Sequence, residues 1–217
     1  MFLMGTRASK LGFLAASILG FFILPAHAAL VYEVTVDTSS INGVNGVIDL
    51  QFNPGGLTSQ AASALVTSFN AGGGTLGSVV PPVGGPVTGS LLTDDLAFQN
   101  SANTDYAHEL LFADFVQFLV TFDGLALNSP DNGPAGTSFG VFLYDQTFNP
   151  LVTADALVAQ IDINPDGTIT TTGFPLGSPV VTFNLITSDV PEPGTLTSLL
   201  LAGCALSLYA RKRAARF

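Results

Sequence analysis

The chain has 217 residues, 47% of them apolar, with sixteen Asp and Glu against six Lys and Arg, a formal net charge of -10 and one cysteine. All six cations (Arg7, Lys10, Arg211, Lys212, Arg213 and Arg216) lie near the two ends, so the stretch from Ala29 to Val190 holds fifteen carboxylates and no Lys or Arg. That excludes nucleic acid as a partner, which needs basic groups to displace counterions, and disfavours anionic lipid surfaces and phosphate-bearing cofactors.

In chain order, the first segment reads as a signal peptide, 1–28. Arg7 and Lys10 form a positive region, Leu11 to Leu24 is apolar, and Pro25 breaks the run before Ala26-His27-Ala28. This small-x-small site predicts cleavage between Ala28 and Ala29 by signal peptidase. An exported domain, 29–188, follows. Residues 30–37 and 47–52 alternate as strands, with Ile48, Leu50 and Phe52 opposite Asp49 and Gln51. Asn53-Pro54-Gly55-Gly56 supplies a turn.

Residues 61–69 fit a helix or a strand, and their β-branched and aromatic members favour strand. Gly72 to Gly89 is too rich in Gly and Pro for the core and reads as a long loop or two short edge pieces. Further strands are expected at 90–98, within 110–123, and at 138–146, 156–163, 168–172 and 179–187. In 115–123, Val116, Phe118, Val120 and Phe122 form one face for the core. Short strands at this spacing, with turns between them and no amphipathic helix, predict an all-β fold: an antiparallel β-sandwich or jelly roll, with phenylalanine filling the core. The only cysteine, Cys204, lies beyond this domain, which therefore has no disulfides.

The end of the chain, 189–217, is tripartite. Val190, Pro191, Glu192 and Pro193 form a stiff turn. Gly194 to Ala210 is an apolar run that would reach ~26 Å as a transmembrane helix. Arg211, Lys212 and Arg213 would orient that helix with its tail in the cytoplasm. This arrangement resembles the PEP-CTERM sorting signal of Gram-negative bacteria. The resemblance implies export through the inner membrane, cleavage by an exosortase, and a final place at the cell surface or outside the cell. The stretch Val36 to Gly55 resembles the opening of a family of small bacterial PEP-CTERM proteins, through a D-x-Q-F-N-P-G core made of Asp49, Gln51, Phe52, Asn53, Pro54 and Gly55. That likeness implies a secreted β-domain and no particular activity.

Three constellations bear on chemistry. Asp162, Asn164 and Asp166 occupy positions 1, 3 and 5 of a calcium loop, with Gly167 at position 6, but position 12 is Gly173 instead of a glutamate. Asn-Pro-Asp-Gly also makes a hairpin turn, which accounts for every residue and is preferred. Gly136 to Gly140 matches G-x-S-x-G, yet the exported histidine, His108, precedes Ser138 and no elbow helix follows. Asp105, His108, Glu109 and Asp114 are the densest polar group, suited on paper to a glycoside-cleaving carboxylate pair or a metal. Asp94 and Asp95 would point to opposite faces of a strand.

The expected function is that of an exported surface or matrix protein without catalytic activity or cofactor, calcium being a secondary possibility. Its partners are signal peptidase, exosortase and, transiently, the inner membrane, with extracellular polysaccharide as a further candidate. The alternatives are a carbohydrate-binding module, for which Tyr32, Tyr106 and Tyr144 offer few stacking rings and no Trp exists, and a hydrolase using Asp105 to Asp114. Thr168 to Thr172 is too short for the threonine array of an ice-binding surface.

Overall fold

The computed structural model of the protein describes residues 29–174 and 181–186. Ala26 and Ala28 of the expected signal peptide lie outside them. So do Val190, Pro191, Glu192 and Pro193, the expected membrane helix with Cys204, and Arg211, Lys212 and Arg213. Among the described residues no helix is long and apolar enough to cross a membrane.

The strands are β1 (Leu30–Asp37), β2 (Asn45–Pro54), β3 (Ser63–Asn70), β4 (Thr75–Gly84), β5 (Val87–Thr88) and β6 (Leu96–Gln99). They continue as β7 (Asp105–Leu111), β8 (Phe115–Asp123), β9 (Thr137–Asp145), β10 (Leu157–Ile163), β11 (Ile169–Gly173) and β12 (Val181–Ile186). One short helix, α1 (Leu125–Asn128), follows β8. The fold is all-β: a first sheet in the order β12-β1-β8-β3-β6-β5 and a second in the order β11-β10-β9-β2-β7-β4. Every strand pairing is antiparallel.

The inner faces of both sheets share one apolar core. On β8 the alternation is complete: Val116, Phe118, Val120 and Phe122 are all fully buried. Phe139 of β9 is the hub of an aromatic cluster, with ring centroids 6.0 to 6.5 Å from those of Phe122, Phe98, Phe118 and Phe52. The pairs with Phe122, Phe98 and Phe118 are edge-to-face, a geometry that adds about 0.5–1.5 kcal/mol per pair to the burial itself. With no Lys or Arg between Ala29 and Val190, apolar burial and the ladder hydrogen bonds hold the domain together.

Several sequence expectations change. Residues 61–69 do form a strand. The Gly/Pro-rich segment becomes β4, a ten-residue edge strand, plus the two-residue β5; β4 carries register shifts between Leu76 and Val79 and between Val80 and Gly84, as an edge bearing Pro81 and Pro82 should. The strand expected over 90–98 shortens to Leu96–Gln99, because Ser90 accepts Thr93 N–H at 3.1 Å and closes a turn. Asp94, at φ 59, sits in that turn and not on a strand. The run 110–123 breaks at Ala113 and Asp114, whose carbonyls accept hydrogen bonds from the Thr38 hydroxyl (2.8 Å) and Thr38 N–H (3.0 Å).

A candidate binding face on the second sheet

Outward side chains of a sandwich are ordinarily solvated, so buried ones need a cause. On the second sheet two buried apolar residues, Val47 and Ala107, lie outside the shared core. Asp49 is also buried, at 4% exposure, where alternation from Ile48 and Leu50 predicted a solvent-facing residue. Register explains the neighbours. Asp49 stands between Ala107 of β7 and Phe142 of β9, and Val47 stands between Glu109 and Tyr144. Phe142 and Tyr144 occupy the outward phase of β9, and their rings stack at 6.3 Å with only 7° between planes. Outward aromatic side chains thus border the same rows as the buried residues.

This corrects the expectation that phenylalanine fills only the core. Phe52, Phe98, Phe112, Phe118, Phe122 and Phe139 do so, whereas Phe142 lies on the outer face. Phe148, 48% exposed, lies 5.6 Å from Tyr144, ring centre to ring centre. The signal was available in TSFGVFLYD: the inward phase is Phe139, Val141 and Leu143, but the outward phase also turns aromatic at Phe142 and Tyr144.

Phe148 sits on the loop after β9 at φ 60, a left-handed conformation that costs a bulky residue on the order of 1 kcal/mol or more. Asp145 fixes this loop. Its carboxylate accepts Thr147 N–H at 2.7 Å, the Thr147 hydroxyl at 2.8 Å, and Asn149 N–H and Asn149 Nδ2 both at 2.9 Å. The bonds from Asn149 and Thr147 hold the Asp145 carboxyl down at about 2. An Asx-type turn with four donors on one carboxylate is a local reason for the loop to take one shape.

Beside this aromatic end lies a hollow of about 360 Å³ lined by Asn45, Thr75, Leu111, Glu109 and Gln146, among others. All five are exposed. Glu109 accepts Ser78 N–H through Oε2 at 3.1 Å; Gly77 gives its side chain room, since a Cβ there would stand 2.7 Å from Oε2.

The other end of the face is polar and closes on itself. Asn53 Nδ2 donates to Gln51 Oε1 at 3.0 Å, and Gln51 Nε2 donates to Asp49 Oδ2 at 2.6 Å. Asn53 Oδ1 accepts Thr104 N–H at 2.7 Å. The polar members of the D-x-Q-F-N-P-G stretch are therefore one ladder along β2, while Phe52 enters the core. Asp49 Oδ1 has no hydrogen-bond partner among the described residues. Burial, with the neighbouring Asp105 charge in support and the Gln51 bond opposing, pushes the Asp49 carboxyl up to about 7. Burial also raises the Tyr144 phenol, followed by the charges of Asp49, Asp105 and Asp155.

The sequence candidates disperse. Asp162 accepts the Ser138 hydroxyl from the neighbouring strand and Gln160 Nε2 along its own strand. Asp166 instead caps its own turn, accepting Thr168 N–H at 3.0 Å and the Thr168 hydroxyl at 2.6 Å. Asn164 N–H meets Thr168 O at 2.8 Å, Gly167 N–H meets Asn164 O at 2.9 Å, and Gly167 has φ +80. This is the β10–β11 hairpin, and Asn164 Nδ2 is spent on the Thr168 and Thr170 hydroxyls.

His108 is fully buried on the inner face: Nε2 bonds Gly77 O at 3.2 Å and Nδ1 meets the Tyr106 hydroxyl at 3.0 Å. Burial lowers its pKa. Ser138 faces outward on β9, so it has no histidine base. Asp105 and Glu109 share the outer face of β7 but lie four residues apart, ~13 Å along a strand. Asp114 is in the following loop, bonded to Asn42 Nδ2 at 2.9 Å. Tyr106 points inward and Tyr32 packs edge-on against Phe122, which leaves Tyr144 as the outer-face tyrosine.

Searches of protein-family models, of characterised proteins and of solved structures find no match to this chain.

Proposed function

We propose that the protein is an exported, exosortase-sorted surface or extracellular-matrix protein whose β-domain has no catalytic role. The observation that carries the reading is the segregation of charge. Every Lys and Arg lies in a terminal segment shaped for processing, and the stretch between carries only carboxylates. Alternation of the chain between the two sheets along β1, β2, β3 and β4 supports a jelly-roll-like sandwich as the exported unit. The dispersal of Asp105, His108, Glu109 and Asp114 supports the absence of catalysis. About 13 Å between Asp105 and Glu109 exceeds the ~5–9.5 Å of glycoside-cleaving pairs, and in the closer pair, Asp105 with Asp49, the Asp49 carboxyl is buried at 4% exposure.

The test uses the same segregation. Trypsin cuts after Lys and Arg, and none lies between Lys10 and Arg211. Protein recovered from the cell surface should resist trypsin even when denatured, and its intact mass should correspond to a chain starting at Ala29 and ending near Pro191. Recovery of Lys212 to Phe217 on surface protein would overturn sorting and leave a tail-anchored membrane protein.

A second reading, carbohydrate binding, is favoured by one observation: the outward Tyr144 and the exposed Phe148 meet ring to ring, and Gln146 between them in the chain lines a hollow with amide, hydroxyl and carboxylate groups. Retention of the protein on a polysaccharide affinity gel tests it.

A further inference from the structure

We propose that Asn132 is a site of self-modification: its side-chain amide closes on the Gly133 nitrogen to a succinimide, which water opens to aspartate or isoaspartate.

The chain has three Asn-Gly steps, Asn42-Gly43, Asn45-Gly46 and Asn132-Gly133. Glycine suits this reaction because it has no Cβ to crowd the attacking nitrogen. The dipeptide alone does not choose between the three, and the fold does. Ring closure needs the Asn side chain and the backbone between Asn and Gly to turn until Cγ meets the next nitrogen. At the first step the Asn42 amide donates to Asp114 Oδ1 at 2.9 Å, and Gly43 N–H donates to Phe112 O at 2.9 Å. At the second, Asn45 begins β2, and Gly46 is buried and paired with Leu110 on one side and Asp145 on the other. Turning either step would break bonds that hold the sandwich.

The third step differs. Asn132 is exposed in the connection between α1 and β9, and its side-chain amide takes no hydrogen bond among the described residues. Its φ of 55 is a left-handed conformation that Asn adopts more readily than most residues. The loop is fastened just ahead of the reacting bond. Asn132 N–H donates to Pro165 O at 3.1 Å, and Asp131 N–H donates to Gln60 Oε1 at 3.0 Å. Asp131 Oδ1 in turn accepts Gly133 N–H at 2.9 Å. The nitrogen that must lose its proton therefore meets a carboxylate where Gly43 meets a backbone carbonyl. That separation lies within the ~2.6–3.2 Å reach of a general base.

The chemistry balances with water as the one co-reactant. Gly133 N bonds to Asn132 Cγ while its proton passes to Asp131 Oδ1. The Cγ–Nδ2 bond then breaks, and Nδ2 takes that proton and leaves as ammonia. Water adds to one of the two imide carbonyls and breaks one of its bonds to nitrogen. Opening at Cγ gives aspartate; opening at the backbone carbonyl gives isoaspartate, with the main chain routed through the side chain. Either product puts a new carboxylate beside Asp131, in a stretch with no Lys or Arg to pair it.

The experiment is incubation of the folded full chain, in detergent, in mildly alkaline buffer at body temperature. Peptic digestion in acid and mass spectrometry then locate the conversion, and a sample unfolded in guanidinium chloride runs alongside. In the folded protein Asn132 should convert at least tenfold faster than Asn42 or Asn45. In the unfolded sample all three should convert at rates within severalfold of one another. Asp131→Ala should slow Asn132 severalfold in the folded protein but not in the unfolded one. Gly133→Ala, whose Cβ would stand 2.9 Å from Asp131 Oδ1, should slow it at least tenfold. The comparison within the unaltered protein needs no variant, so it stands even where a variant misfolds. Conversion of Asn42 or Asn45 as fast as Asn132 in the folded chain would overturn selection by the fold. An Asn132 that stays intact when folded yet reacts when unfolded would overturn the site. A folded-state rate unmoved by Asp131→Ala would overturn the role of that carboxylate as the base.

Discussion

The two sheets share a core but differ on their outer faces. On the first sheet, the outward residues of β8 are Phe115, Gln117, Leu119, Thr121 and Asp123, none of them buried. Those of β1 include Glu33 and Thr35, paired with Leu119 and Gln117. On the second sheet, β2 is buried on both phases from Gly46 to Leu50, with Val47 and Asp49 in rows that Tyr144 and Phe142 border. A solvated sheet face needs only polar or small residues. A face that buries a valine and an aspartate and keeps aromatic rings outside carries more apolar surface than solvation alone requires.

The largest expected effect separates inner from outer aromatics. Phe139→Ala removes the ring that meets Phe52, Phe98, Phe118 and Phe122, and should cost about 3–5 kcal/mol. Phe142→Ala, three residues along the same strand but on the outer face, should cost about 1 kcal/mol. Chemical denaturation of both variants measures the difference. Equal losses would mean that the outer aromatics are simply a second core, and the distinction between the two faces would fail.

Asp49 gives the next effect, and its sign is set by burial. Its folded-state pKa, about 7, lies above its unfolded value of 3.8. The folded protein therefore holds a proton on Asp49 that the unfolded chain releases between these values. Asp49's contribution is most favourable below about pH 4, declines as pH rises to about 7, and is constant above that. The amplitude is on the order of 4 kcal/mol, about 1.4 kcal/mol for each of roughly three pKa units. In Asp49→Asn this slope should vanish, so the variant should gain stability on the wild type as pH rises from 4 to 7. Taking the difference between the two proteins cancels groups common to both, such as Asp145 and His108. A difference that stayed flat with pH would place Asp49's charge in water.

How much of this was legible in the sequence follows from what each residue depends on. Val116, Phe118, Val120 and Phe122 were legible because alternation is a property of the strand alone. The Asn164-Pro165-Asp166-Gly167 turn was legible because its residues bond within the turn. The burial of Asp49 was not, since its neighbours Ala107 and Phe142 arrive from β7 and β9, and only the register brings them there. Phe148 was hidden for a related reason: its position depends on Asp145 collecting the Thr147 and Asn149 donors. The spread of Asp105, His108 and Glu109 was half legible, because alternation already sends His108 to the face opposite its neighbours.

The smallest expected effect is on calcium, and it tests the contrast between the two ends of the second sheet's outer face. At the aromatic end, exposed groups line a hollow. At the polar end, Asp162 is engaged by Ser138 and Gln160, Asn164 by Thr168 and Thr170, and Asp166 by Thr168. Asp162 faces across the sheet while Asp166 caps a turn, so a cation bound by both would need those hydrogen bonds broken and the hairpin rearranged. Millimolar calcium should therefore leave the melting temperature unchanged within about a degree. Ligand binding to the folded state must raise it by mass action. A rise of several degrees, reversed by chelator and abolished by Asp162→Asn with Asp166→Asn, would show that the polar end opens to a metal. A rise that survived both substitutions would put the ion elsewhere on the acidic surface, with the hairpin intact.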